Sequence, residues 1–400
     1  MKQKKLLVLG GDHFTIPVVE AAHKQGYYVI TCDYLPNNVA HKISDEYINF
    51  STTDKKGILE AARKRNIDGI VTFTDSGVVT TAYVQHHLGL PQIGPLESVE
   101  ILQNKAKFRA FLTQNNFNVP KAKGYNTYEE ALADKDYYHW PVIVKPVDSA
   151  ASKGVTKIDN PIELKTAFCH ALEYSASKKV IIEEFIEKDG CSSDSDCFSE
   201  NGIFTVMTFS AQRFDESALN IYAPAAFSWP STYTKEQEAY LASELQRLIS
   251  LLNMQTSIYN IESRLGKDGK LYIMEVSPRG GGNRLAEMIR FSTAADMITA
   301  AVRAAVGDSI NLKQNELNGH WAEVILHSEN VGVFDELVIN DYFYKENVHQ
   351  VDLWVKKGER IEPFTGGNKA IGTLVLHFNK AEDMNYALSH QNSWMHIKLK

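Results

Sequence analysis

Four hundred residues, 44% of them hydrophobic and 23% charged, exceed a single typical core and describe an ordinary soluble globular chain of two to four domains. A formal net charge of −7 argues against nucleic acid as a partner, no apolar stretch approaches the length of a membrane span, and the short apolar run at the N-terminus is no signal peptide. Four cysteines do not make a disulfide framework, so a reducing cytoplasm and small-molecule partners are the expectation.

Residues 1–118 alternate strand and helix signals: a strand over Lys5–Leu9, a helix near 15–25, a strand over 28–32, a helix near 56–65, a strand over Gly69–Thr72 and a helix over Val78–Leu88. The rhythm implies a parallel, doubly wound sheet. Gly10-Gly11 lies where open α/β sheets bind ligands, although the G-x-G-x-x-G spacing is absent and a plain tight turn is the competing reading. Asp75, after another strand, is either a ligand contact at that edge or a helix N-cap.

A helix near 105–115 leads into residues 119–202. There Trp140-Pro-Val-Ile-Val-Lys reads as a strand ending in Lys145, and 149–154 as a loop of small residues and hydroxyls that includes Lys153. Such a loop suits a phosphate cover and a strand-end lysine suits a phosphate, although most strand-end lysines are simply solvated. A helix near 161–174 precedes a buried strand over 180–186 that carries Glu183 and Glu184. Cys191 and Cys197 bracket Ser-Ser-Asp-Ser-Asp without a second pair and read as two ordinary thiols.

Residues 203–318 hold a capping box at Thr234 and Gln237, one helix over 285–306, and a hairpin with its turn at 266–269. With that turn Glu262 lies opposite Ile273, so Glu275 is its diagonal neighbour on the same face, roughly 7 Å away. Two such carboxylates repel unless hard cations sit between them and bridge to phosphate oxygens, which predicts Mg²⁺ and a nucleotide; a solvated hairpin is the alternative. Ser-Pro-Arg-Gly-Gly-Gly-Asn-Arg then sets Arg279 and Arg284 beside a glycine turn, a composition that suits oxyanions, as do the amides that open the next helix. Residues 319–400 are strand-rich, with segments over 321–327, 348–355, 370–378 and 396–399. They show no catalytic constellation, and His320, His327, His349, His377, His390 and His396 lack metal spacing.

Glu262 and the run Glu275-Val-Ser-Pro-Arg279 resemble the hairpin carboxylates and Glu-x-Asn-Pro-Arg motif of the ATP-grasp superfamily. The resemblance implies an α/β fold with an N-terminal doubly wound parallel sheet (1–118), a lid (119–202), a mixed-sheet metal-binding unit (203–318) and a small β-rich C-terminal extension (319–400). It implies ATP with Mg²⁺, or Mn²⁺ in its place. Glu262 and Glu275 match the family's metal ligands, and Ser277 stands where the family has a metal-binding Asn. Lys105, Lys145 and the loop residues Ser149, Ser152, Lys153 and Gly154 match the phosphate contacts. Glu-Glu-Phe-Ile looks like the family's hinge: Glu183 would accept from the adenine amino group, with Glu184, Phe185 and Ile186 alongside. The family's ribose Glu is missing, which leaves Asp194 or Asp196 as substitutes.

Arg279 and Arg284 carry the catalytic expectation. The activity implied is carboxylate–amine ligation: a carboxylate takes the γ-phosphate, an amine attacks the acylphosphate, and an amide, ADP and phosphate result. L-amino acid ligation fits the tail. The alternatives are a purine-pathway or carbamoyl-phosphate-type enzyme and an ATP-binding regulatory protein without turnover. A homodimer is the expectation for assembly. Phe204, Phe209, Tyr222, Trp229 and Tyr259 are candidates for a substrate pocket or for core.

Overall fold

Strands Lys5–Leu9 (β1), Tyr28–Asp33 (β2), Glu46–Asn49 (β3) and Gly69–Thr72 (β4) pair in parallel in the order β3-β2-β1-β4. The computed structural model describes residues 3–149 and 153–400. Alternate residues of β1 feed opposite cores: Leu6 and Val8 pack with Val18 and Val19 of the helix Ile16–Lys24, whereas Leu7 and Leu9 pack with Ile58 and Val84 of the helices Lys55–Arg65 and Val78–Leu88. This is the doubly wound arrangement that the alternation implies. β3, short and half-exposed at the sheet edge, and the helix Leu96–Gln103 add to the elements legible in the sequence.

Ala122–Tyr125 (β5), Val142–Pro146 (β6), Thr156–Ile158 (β7) and Val180–Glu184 (β8) form an antiparallel sheet in the order β5-β8-β6-β7. The helix Leu164–Glu173 lays Phe168 and Ala171 against Val142, Val144 and Ile182 of that sheet. β8 ends at Glu184, two residues before the expected end of the strand.

The third unit contributes Ser193–Glu200 (β9), Ile203–Met207 (β10), Ala211–Phe214 (β11), Pro224–Trp229 (β12), Ser257–Leu265 (β13) and Leu271–Ser277 (β14). Its sheet has the order β10-β9-β13-β14. One face is apolar: Cys197, Tyr259, Ile261 and Val276 pack on Leu241, Leu245 and Leu248 of the helix Lys235–Leu251, whose Thr234–Gln237 capping box is present. On the other face, Phe198 and Ile258 pack against the segment 285–306 and leave the rest of that face polar.

Two expectations for this unit are corrected. Glu262 pairs directly with Glu275, because the turn closes Gly266 on Lys270 and a bulge at Met274 shifts the register between Glu262 and Ser263. The expected helix over 285–306 is two helices, Leu285–Thr293 and Met297–Ala305. Ala294 adopts the left-handed conformation at φ 63°, and Asp296 then caps the second helix by accepting from Thr299 N.

The chain ends with His320–Leu326 (β15), Gly332–Ile339 (β16), Val348–Leu353 (β17), Arg360–Ile361 (β18), Gly372–Phe378 (β19) and Met395–Leu399 (β20). β11 and β12 leave the third unit to join this extension in the sheet β11-β12-β15-β19-β17, with Phe227 opposite Glu323 and Trp229 opposite Trp321. The C-terminal part is therefore stitched to the central unit by main-chain ladders. Among the described residues, no helix is long and apolar enough to cross a membrane.

Candidate functional site

β9, β13 and β14 each place polar residues two apart: Asp194 and Asp196, Asn260 and Glu262, Glu275 and Ser277. The ladders align them in two rows on one face, Asp194–Glu262–Glu275 and Asp196–Asn260–Ser277. Neighbouring strands lie about 4.8 Å apart, so the first row is three carboxylates in succession. Asn260 Nδ2 donates to Asp194 Oδ1 at 2.6 Å and to Asp196 Oδ1 at 3.3 Å, and Gly281 N donates to both oxygens of Asp196 at 2.9 Å.

Burial pushes Asp196 up to about 7. Asp194 and Glu262 also rise, first through burial and then through neighbouring carboxylates, Asp196 and Glu275 for Asp194 and Asp194 and Glu275 for Glu262. The cation closest to the row is Lys105, the first residue of the helix Lys105–Gln114, whose Nζ lies 3.3 Å from Glu275 Oε2 and donates to Ser149 O at 3.0 Å. Burial pulls its ammonium down, but Glu275, Asp75 and Glu262 outweigh that and hold it above the ordinary lysine range. Among the described residues, no three His, Cys, Asp or Glu side chains already converge as a metal cage. The row still has the chemistry a divalent cation takes: hard oxygens on adjacent strands, short of positive charge.

Arg279 lies beside the rows, 8% exposed, and its Nε and Nη2 reach Asp75 Oδ1 at 2.8 and 2.7 Å. Asp75 comes from the turn after β4, so the first domain supplies the counter-ion, and its side chain holds Arg279 instead of capping a helix. Ser277 Oγ donates to the same Asp75 oxygen at 3.3 Å and accepts from Gln103 Nε2 at 2.8 Å. The glycine turn is needed for close packing: a Cβ on Gly280 would sit 2.1 Å from the Phe73 ring, and one on Gly281 would sit 2.7 Å from Asp196 Oδ1. Arg284 does not join Arg279. Its Nε and Nη2 bind Glu287 at 3.0 Å each, and Nη2 also binds Gln350 of β17 at 3.0 Å, which draws this guanidinium to the C-terminal sheet.

In the lid, Lys145, the residue before the last of β6, ion-pairs with Glu183. Arg109, one turn beyond Lys105 on the same helix, binds the other Glu183 oxygen at 3.0 Å. Burial would raise the Glu183 carboxyl, but Arg109 and Lys145 overcome it and hold the group down at about 2. Both Glu183 oxygens are thus engaged by cations of the chain itself. Glu184 Oε1 accepts from His139 N and pairs with His139 Nδ1, both at 2.8 Å. Phe185 N donates to Pro141 O at 3.0 Å, Lys157 covers the Phe185 ring, and Ile186 O accepts from Arg264 at 3.3 Å. Ser149 is half-buried, Lys153 exposed and Gly154 left-handed at φ 71°, while Ser152 lies outside the described residues.

Asp194 and Asp196, the candidates for a ribose contact, are members of the central rows. Among the aromatic candidates, Phe209, Trp229 and Tyr259 are core, Phe204 packs on Tyr259 and Tyr222 is exposed. Cys191 and Cys197 are free thiols. Arg109, Gln103, Asn260 and the Asp75–Arg279 contact went unread in the sequence. Arg109 had a usable signal in its i, i+4 spacing from Lys105, and the β9, β13 and β14 pairs had one in their period of two.

Residues 138–287, which span the lysine strand, the hinge and both carboxylate rows, match the family model described as an ATP-grasp domain. The chain carries an ATP-grasp domain. Solved ATP-grasp structures superpose along the whole chain: L-amino acid ligase from Bacillus licheniformis at TM-score 0.83 and 20% identity, phosphoribosylglycinamide synthetase from Anaerococcus prevotii at 0.79 and 18%, and N5-carboxyaminoimidazole ribonucleotide synthetase from Thermotoga maritima at 0.77 and 18%, each with 100% of both chains covered. At these identities the likeness establishes the α/β ATP-grasp fold.

Proposed function

We propose that the protein is an ATP-dependent ligase that joins a carboxylate to an amine through an acylphosphate. The observation that carries this reading is the Asp194–Glu262–Glu275 row with Arg279 beside it and Lys105 across it. Stacking carboxylates on a sheet face is unfavourable for a protein with no cation to place there. Glu262 and Glu275 would hold Mg²⁺, with Asp194 next in line and Ser277 behind it. Mg-ATP, when bound, supplies the phosphoryl group and the charge neutralisation that its transfer needs.

The chain's own groups do the rest. Lys105 and Lys145 bring two ammonium groups to the phosphate side of the cleft, and the Arg109–Glu183 pair fixes Lys145 there. Arg279, held by Asp75, is oriented before the substrate arrives, so it stabilises the oxyanion of the tetrahedral intermediate without reorganising. The amine nitrogen adds to the acyl carbon, the tetrahedral intermediate then collapses with cleavage of the bond from that carbon to the phosphate oxygen, phosphate leaves, and the nitrogen gives up a proton to solvent.

A second reading, a regulatory ATP-binding protein without turnover, draws support from Ser277, whose hydroxyl is already engaged by Gln103 and Asp75. Phosphate release from Mg-ATP against pooled amino acids and small carboxylic acids, with mass spectrometry of active pools, separates the two. Release that depends on two compounds and yields a condensed product is expected; Mg-ATP binding with no release in any pool would overturn the ligase reading.

A further inference from the structure

Across the glycine turn from the carboxylate rows lies a second polar cluster, on the face of the sheet β12-β15-β19-β17 that meets the helix Leu285–Thr293. Ladder register puts Glu323, Thr373, Gln350 and Asp352 on that one face: Glu323 and Gln350 both pair with Val375, and Asp352 pairs with Thr373, two residues further along β19. From the helix side come Arg284 and Glu287.

The cluster is unbalanced in a specific way. Glu323 is fully buried and, among the described residues, neither carboxylate oxygen has a hydrogen-bond partner. Nη1 of Arg284 and Oγ1 of Thr373 are likewise buried and unpartnered. A buried polar atom left unpaired costs about 1–3 kcal/mol, and a charged one costs more. Together an acid, a guanidinium and a hydroxyl describe the complement of a dipolar ligand. Burial holds Glu323 well above the ordinary carboxylate range, Arg284 offsets part of that and Glu287 and Asp194 add to it, so a ligand ammonium would take the proton's place on this carboxyl.

Space and a wall for a side chain lie next to it. A Cβ on Gly282 would meet only the Phe14 ring, at 3.9 Å, so the turn is open on that side. The same Phe14 ring, with His13, Trp354 and Gly367, lines a cleft of about 510 Å³. His13 stacks on Trp354 at 4.8 Å and Phe14 meets it edge-on at 5.4 Å. The Trp354 indole donates to Asp352 at 2.9 Å, which ties the aromatic wall to the polar cluster.

We propose that Arg284, Glu323 and Thr373 form a subsite for a zwitterionic α-amino acid, with its carboxylate on Nη1 of Arg284, its ammonium on Glu323 and a large apolar or aromatic side chain directed toward the wall of His13, Phe14 and Trp354. Its assignment as the amine substrate rests on the ligase reading; its existence as a binding site does not. The β-rich extension then acquires a function, since Glu323, Thr373 and Trp354 all come from it.

The test is calorimetric titration of the full chain, in the presence of Mg-ADP, with each common amino acid, with its decarboxylated amine and with its 2-hydroxy acid. At least one large apolar or aromatic amino acid should bind, and the amine and hydroxy acid should each bind about 10- to 100-fold more weakly, the range for losing a charged hydrogen bond. Glu323→Gln should weaken the amino acid by a similar factor and Thr373→Val by several-fold; should the first variant fold poorly, the second carries the test. Trp354→Ala should erase the preference for aromatic side chains. The subsite is overturned if no amino acid binds the wild-type protein, if the one-charge analogues bind equally well, or if a folded Glu323→Gln, or Thr373→Val in its place, binds like wild type. Amino acid binding without phosphate release in any pool would sink the ligase reading and leave the subsite standing.

Discussion

Two buried acidic regions, one in the lid and one in the central unit, solve the same problem in opposite ways. In the lid, Glu183 is held between Arg109 and Lys145, and its carboxyl is pulled down to about 2. In the central unit Glu262 faces Asp194 on one strand and Glu275 on the other, and its carboxyl is driven up. The first acid brings its counter-charge within the chain and serves as structure. The second, on the proposed reading, leaves its counter-charge to a ligand.

Exchanging each glutamate for glutamine tests that contrast most sharply. Glu262→Gln should abolish phosphate release, a loss of at least about 10²–10³-fold if the charge acts electrostatically, while raising the thermal midpoint of the ligand-free protein by relieving repulsion. Glu183→Gln should do the reverse in stability: it leaves Arg109 and Lys145 buried without their partner and should cost about 3–5 kcal/mol in denaturant unfolding. Equal thermal shifts of one sign would erase the distinction between the two acids.

Arg279→Ala should come next. It should retain Mg-ADP binding by calorimetry but lose amide formation by about 10²–10³-fold, and stranding Asp75 should lower its stability. A variant that ligates at the wild-type rate would remove Arg279 from the mechanism.

The same contrast fixes the sign of the pH dependence. Glu183 is depressed in the folded state, so its stabilisation is complete above its ordinary value of 4.5 and is lost as pH falls toward 2. Glu262 is raised, so its unfavourable contribution is absent below 4.5 and grows as pH climbs through neutrality. The difference in unfolding midpoint between wild type and Glu262→Gln should therefore widen from pH 5 to pH 8, whereas that between wild type and Glu183→Gln should narrow below pH 4. A gap for Glu262→Gln that stays flat with pH would show that the row is already neutralised.

Much of this was legible in the sequence because it is local. Strand and helix alternation gave the doubly wound domain, and the turn glycines gave the hairpin that carries Glu262 and Glu275. Direct pairing of those two glutamates was not legible, since a bulge at Met274 leaves no compositional mark. The pairing of Glu183 was not legible for a different reason: it depends on Arg109, 74 residues away, and only packing of the helix Lys105–Gln114 on the lid brings the pair together. The extension offered no motif because its polar residues lie on three separate strands and meet only through register. Long-range pairing sets what periodicity cannot.

Ser277 gives the smallest and most discriminating effect. Its hydroxyl donates to Asp75 and accepts from Gln103, so it lies in the second row, tied to the first domain. If that network is its main use, Ser277→Ala should cost about 1 kcal/mol of stability, the net worth of a hydrogen bond, and should change Mg²⁺ affinity far less than Glu275→Gln. Ser277→Asn offers an amide oxygen, a stronger ligand for a hard cation than a hydroxyl, and should tighten Mg²⁺ binding only if Gln103 yields the space. Gln103→Ala combined with Ser277→Asn therefore distinguishes a lost ligand from a displaced one. Tighter Mg²⁺ binding in the double variant alone would mean that Gln103 and Asp75 divert this position from the metal, and that the remaining charge of the site rests on the Asp194–Glu262–Glu275 row.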